Sequence, residues 1–218
     1  FPALDDVEEG RRIAATWSAT ARRLHDEFQV SVGFVDGKRC LGGSLELLMH
    51  CHSLVAVEDA ALGLPEVTLP VVPGMESCHW PFRKAKRDDW PKLVRLLLSG
   101  TPVKAKDAVG WLVDFAGPME ESLRTAWRLV SGGQAGSTVR KLDEGVLHGV
   151  PSEAGLPASD NPATESARKA IMQSIQASCG VPLAEALEVQ AGHSAGFMVT
   201  PFCRQGGIGT ERQRTMMA

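Results

Sequence analysis

The sequence predicts an α/β fold: a mixed core over 1–117 and a helical C-terminal region over 118–218. Three observations predict it. Short β-branched segments alternate with amphipathic helical ones, glycine loops join them, and the last third is helical around a Gly/Pro-rich connection at 131–162. Leu4–Phe28 carries Ile13, Trp17, Thr20, Leu24 and Phe28 at helical spacing, one long amphipathic helix. Gln29–Val35 is β-branched and aromatic and ends at the turn pair Asp36-Gly37, a strand. Gly42-Gly43-Ser44 breaks the chain before the apolar helix Leu45–Cys51, and Ser53–Val57 is a second strand. Leu62–Pro73, punctuated by Pro65, Pro70 and Pro73, is extended. Helices are expected at Gly74–Lys86, with Pro81 in the first turns or at the end, and at Asp88–Leu98. A short helix over Val103–Gly110 runs into a strand at Trp111–Phe115, and Pro118–Val130 is a helix opened by proline. Ala163–Ser178 and Pro182–Phe197 are two more helices, followed by a Gly-rich basic tail.

Composition narrows the class of function. Of 218 residues, 44% are hydrophobic and 22% charged, ordinary for a globular chain and incompatible with wholesale disorder. Lys plus Arg number 23 against 26 Asp plus Glu, a net charge of −3 with no basic block, so no footprint for duplex nucleic acid exists. The longest apolar stretches, such as Leu64–Val72, are interrupted by Pro and Glu well short of a membrane span. Five Cys, an odd number without a CxxC pair, read as reduced thiols in a cytoplasmic compartment. His50 and His52 fall on different faces of a helix and no pair has zinc spacing, so no metal is expected. Ser44 is not in a GxSxG elbow, and Gly42-Gly43 lacks the lysine of a phosphate-binding loop.

The informative stretch is Gly33–Gly74. It contains Leu41-Gly42-Gly43-Ser44-Leu45-Glu46-Leu47, then Ala60 with Leu62-Gly63-Leu64-Pro65-Glu66-Val67, then Pro73-Gly74. Downstream come Leu98-Ser99-Gly100 and Lys104–Asp114. In this order the segments resemble the crotonase family, the enoyl-CoA hydratases and isomerases, over about half the chain. The resemblance implies a crotonase-like ββα spiral core with a C-terminal helical layer that packs between subunits of a homotrimer or a dimer of trimers. It implies an acyl-CoA substrate, with coenzyme A as part of the substrate and no separate cofactor.

Glycine before a helix suits a thioester oxygen that gains charge as an enolate: no Cβ obstructs the amide, and the helix start adds its positive end. Gly43 is the expected donor, although a tight strand-to-helix turn would also call for glycine there. Glu46 either steadies the helix start or projects into a cleft, and Glu66 follows Pro65 among apolar residues. Two carboxylates on one substrate can hold and split a water, and in the hydratases both positions are glutamates. Gly42, Pro65 and Gly74 are expected beside the cleft. The segment after Gly74 departs from the family's small residues with Glu76 and His79, which are either solvated or add ionisable groups to the cleft. With both glutamates kept, the resemblance implies hydration of a 2-enoyl-CoA thioester, and an isomerase, a ring-opening hydrolase, a decarboxylase, or a non-catalytic CoA-thioester-binding subunit are the alternatives. The family's first strands and Ala-Gly-x-Asp loop, which donates the other oxyanion N–H, have no counterpart from Phe1 onward, so that half of the site is expected from a preceding segment.

Overall fold

Asp6 opens the first helix by accepting the amide N–H groups of Glu8 and Glu9, and α1 runs Val7–Asp26. The computed structural model describes residues 6–132, 140–149, 151 and 155–205; Leu4, most of the basic tail and parts of the 131–162 connection fall outside them. The buried face of α1 differs from the large apolar stripe expected for it. Gly10, Ala14, Ser18 and Ala21 are buried, whereas Trp17 and Phe28 stay 41% and 55% exposed. Small residues win because α1 lies close against α7 (Leu183–Met198): a Cβ on Gly10 would sit 3.3 Å from the Ala195 Cβ.

Two three-stranded sheets form the core. β1 (Val32–Val35), β3 (Ser53–Val57) and β6 (Phe115–Gly117) make a parallel sheet with β3 in the middle. As the central parallel strand, β3 is buried along Ser53–Ala56, which explains its unbroken apolar run. In the second sheet β2 (Arg39–Leu41) runs parallel to β4 (Ala61–Gly63), and β5 (Val103–Lys104) pairs antiparallel to β4. Helix α2 (Gly43–Met49) starts directly after β2.

Three expected elements take other forms. Val103–Gly110 is not one helix: Val103 and Lys104 pair with Leu62 and Ala61, and only Ala105–Ala108 coils, as a 3-10 turn. Trp111–Phe115 is mostly a turn; the strand is Phe115–Gly117, registered on Val55–Val57. Within Leu62–Pro73 a 3-10 turn forms at Pro65–Thr68, opened by Pro65, whose fixed φ suits a helical first position. Helix α3 is confined to Trp80–Lys84 with Pro81 in its first turn, and α4 (Trp90–Ser99) stops at Gly100, where φ is +65°. Helix α5 (Met119–Val130) begins after Pro118, and α6 (Pro162–Cys179) is capped by Asn161. A short α8 (Pro201–Gln205) comes after α7.

Buried cations fix the long connection. Arg83 donates to the backbone carbonyls of Asp143, Gly145, Ser178 and Val181. Arg140 pairs with buried Asp114 at 2.9 Å and donates to the carbonyls of Trp111 and Leu112.

Candidate active site

Adjacent parallel strands end side by side, so the segments that leave their carboxyl ends are brought together. The register sets Leu41 opposite Gly63, and Gly42 N–H donates to Gly63 O at 2.9 Å. After β2 the chain turns through Gly42 into α2, which carries Glu46 in its first turn; after β4 it passes Leu64 and Pro65 to Glu66. Ligands of α/β proteins commonly sit at such carboxyl ends of strands. Gly42 makes the turn at φ +56°, ψ −135°, a conformation open to glycine. Its missing side chain also makes room, since a Cβ there would lie 2.9 Å from Glu66 Oε1. Gly43 is the first residue of α2, so its N–H lies outside the i→i−4 ladder and at the positive helix end.

A cavity of about 280 Å³ opens here. Gly43, Glu46, Glu66 and Gly74 line it together with apolar side chains from α1 (Ile13, Trp17) and Met198 from α7. Gly42 and Pro65 lie just behind it and shape the approach of Glu66. Sequence reasoning misses the contributions of α1, α7 and α8; the only hint is Ile13 and Trp17 in the helical stripe, which read equally well as core. Glu46 Oε1 accepts from the Met75 N–H at 2.9 Å and the Ser77 hydroxyl at 2.8 Å. Gln190 on α7 ties down the same loop by donating to Pro73 O and accepting from the Cys78 N–H.

Both carboxyls are buried, and burial raises both. For Glu46 the two donors and the nearby His50 oppose the rise. Glu66 Oε2 is buried with no hydrogen-bond partner among the described residues, and burial together with the Glu46 charge pushes this carboxyl up to about 8. One cavity therefore holds two buried glutamates in different surroundings, Glu46 held by two donors and Glu66 with an oxygen that lacks one.

Glu76 and His79 do not line the cavity. Both are fully buried, in a cluster with Arg22 of α1 and His50 at the end of α2. Burial alone would raise the Glu76 carboxyl, but His50, His79 and Arg22 hold it well below the usual carboxylate range. Burial brings His79 down to about 4, so its imidazole is neutral at physiological pH. Arg22 lies 54 residues from Glu76, a pairing that local sequence cannot reveal. Among the described residues no group of three or more His, Cys, Asp or Glu could hold a metal ion.

No family model matches the chain. A probable enoyl-CoA hydratase of Bacillus subtilis (strain 168) is 32% identical over 109 residues, covering 50% of this chain and 41% of the relative. A peroxisomal fatty acid beta-oxidation multifunctional protein of Arabidopsis thaliana is 38% identical over 100 residues, 45% of this chain and 13% of the relative. The crystal structure of an enoyl-CoA hydratase from Mycobacterium smegmatis superposes with a TM-score of 0.58 at 17% identity, covering 92% of this chain and 57% of that one. The chain thus spans less than two thirds of the length of these relatives. The α/β core with its helical C-terminal region is the fold of the hydratase structure, and the relatives this chain resembles in sequence include a probable enoyl-CoA hydratase and beta-oxidation multifunctional proteins.

Proposed function

We propose that this protein adds water across the double bond of a 2-enoyl-CoA thioester. One observation carries the reading: two buried glutamates, one held by two donors and one with an oxygen lacking a partner, face a single cavity at a helix N-terminus. At neutral pH Glu66 keeps its proton, and Glu46, which accepts from two donors, is the group placed to take one. Glu46 takes a proton from water as the water oxygen bonds to the β-carbon of the substrate. The π electrons move onto the thioester oxygen, and the Gly43 N–H holds that charge as an enolate. Glu66 then delivers its proton to the α-carbon, and proton exchange within the carboxyl pair restores the starting state. Coenzyme A belongs to the substrate, and the scheme uses no other cofactor.

The experiment is loss of 2-enoyl-CoA absorbance beside a 3-enoyl-CoA isomerisation assay. Glu46→Gln and Glu66→Gln should each cost about 10²–10⁴ in hydration rate. The double variant should be little worse, because both groups act on one water. Near wild-type hydration by Glu46→Gln with loss in Glu66→Gln would point to a one-base isomerase.

The proposal extends to assembly and compartment. Met119, Leu123, Trp127 and Val130 fall on one face of α5 and are all exposed, Trp127 by 72%, which supports a homotrimer or a dimer of trimers. No helix among the described residues is long and apolar enough to cross a membrane, and all five cysteines are free thiols, which fits a cytoplasmic site of action.

A further inference from the structure

Glu76 occupies a left-handed backbone position, φ +67°, which a residue with a side chain adopts only when its surroundings enforce it. Here they do. Arg22 Nε donates to both carboxylate oxygens, at 3.0 and 2.9 Å, and His50 Nε2 lies 3.1 Å from Oε2. The residues on either side of this turn, Met75 and Ser77, supply the two donors on Glu46 Oε1. His50 also reaches Glu46 itself, with Nδ1 2.8 Å from its backbone carbonyl. Both His50 ring nitrogens therefore face oxygen atoms of the two glutamates.

We propose that Glu76 is a positioning residue for Glu46: locked by Arg22 and His50, it holds the left-handed turn that aims the Met75 N–H and the Ser77 hydroxyl at the Glu46 carboxylate. What Glu46 does rests on the hydratase reading; how Glu46 is held does not. Donors on the ionised form favour a carboxylate, so the lock opposes the rise that burial imposes on Glu46. The other groups around it are Glu66 from the 3-10 turn after β4 and the Cys78 thiol on the same loop. Around Glu76 they are Arg22 from α1, His50 from α2, and His79 and Arg83 before and within α3.

The test compares Glu76→Gln, Ser77→Ala and the double variant. In substrate-free protein, NMR of isotope-labelled Glu side chains tracks the Glu46 carboxyl, assigned through Glu46→Gln. Its titration midpoint should rise by about one pH unit in Ser77→Ala, and by at least as much in Glu76→Gln, which loosens both donors. It should rise no further in the double than in Glu76→Gln, since Glu76 acts through the donor that Ser77 supplies. In the hydration assay the ascending limb of the kcat/KM profile should move up equally, with kcat falling about tenfold at unchanged KM. A folded Glu76→Gln with the wild-type midpoint, or fully additive effects in the double variant, overturns the proposal. Should Glu76→Gln not fold, His50→Gln, which keeps the Arg22–Glu76 pair, is read by the same midpoint and the same criterion. A wild-type protein without hydratase activity would remove the functional reading, while the substrate-free midpoint would still decide the role of Glu76.

Discussion

Replacing Glu66 by Gln should stabilise the protein at alkaline pH while abolishing its proposed activity. The carboxyl is buried, lacks a partner for Oε2, and is pushed from 4.5 to about 8. Between those values the unfolded chain has released the proton and the folded chain has kept it, so stability falls as pH rises. The gap, at about 1.36 kcal/mol per pH unit, is worth up to about 5 kcal/mol. Gln does not titrate, but its amide is left under-bonded in the same place, which returns about 1–3 kcal/mol. Glu66→Gln should therefore be about 1–3 kcal/mol less stable than wild type near pH 4.5 and about 2–4 kcal/mol more stable near pH 8.5. Urea unfolding at fixed protein concentration across that range measures it, because assembly also shifts apparent stability. Since Glu46 titrates with Glu66 as a pair, Glu46→Gln should flatten part of the same slope. Stabilities of wild type and Glu66→Gln that run parallel from pH 4.5 to 8.5 would refute the burial argument.

Three further outcomes are expected. Gly43→Val, whose Cβ would meet the Met75 Cε at 3.2 Å, should lower kcat about 10²–10³-fold with circular dichroism unchanged, and an unchanged kcat removes Gly43 from the site. Gly42→Ala combines φ +56° with a Cβ 2.9 Å from Glu66 Oε1, and should cost about 1–3 kcal/mol in chemical denaturation. Arg22→Met leaves the buried Glu76 carboxylate without the guanidinium that contacts both its oxygens and should cost about 3–5 kcal/mol, read as a lowered Tm.

Features of the fold are legible in the sequence when their cause is local. Ser53–Val57 and the helices after Pro162 and Pro182 announce themselves by composition and by their first residues, and the structure matches them closely. β2 and β5 do not, because three- and two-residue strands are strands only through partners elsewhere in the chain. The glycine turn and the two glutamates stand out because their spacing is characteristic and the pairing of β2 with β4 then joins them. Glu76 and His79 sit in the same stretch of sequence as Gly74, yet face away from the cavity toward Arg22, and distance along the chain hides that partner. The apolar walls from α1 and α7 are hidden for the opposite reason: a residue that lines a cavity and one that fills a core obey the same helical period.

The Arg83 fork has a consequence for how this chain can change over time. Its four acceptors are main-chain carbonyls, which every amino acid carries, so within residues 143–145 the side-chain hold is the Asp143 carboxylate accepting the Gly145 N–H. Beyond that aspartate, an acceptor carbonyl keeps its place whatever side chain it carries. The constraint is stored in a single position 60 residues earlier than Asp143, and lysine, with one point of charge in place of a planar fork, cannot inherit it.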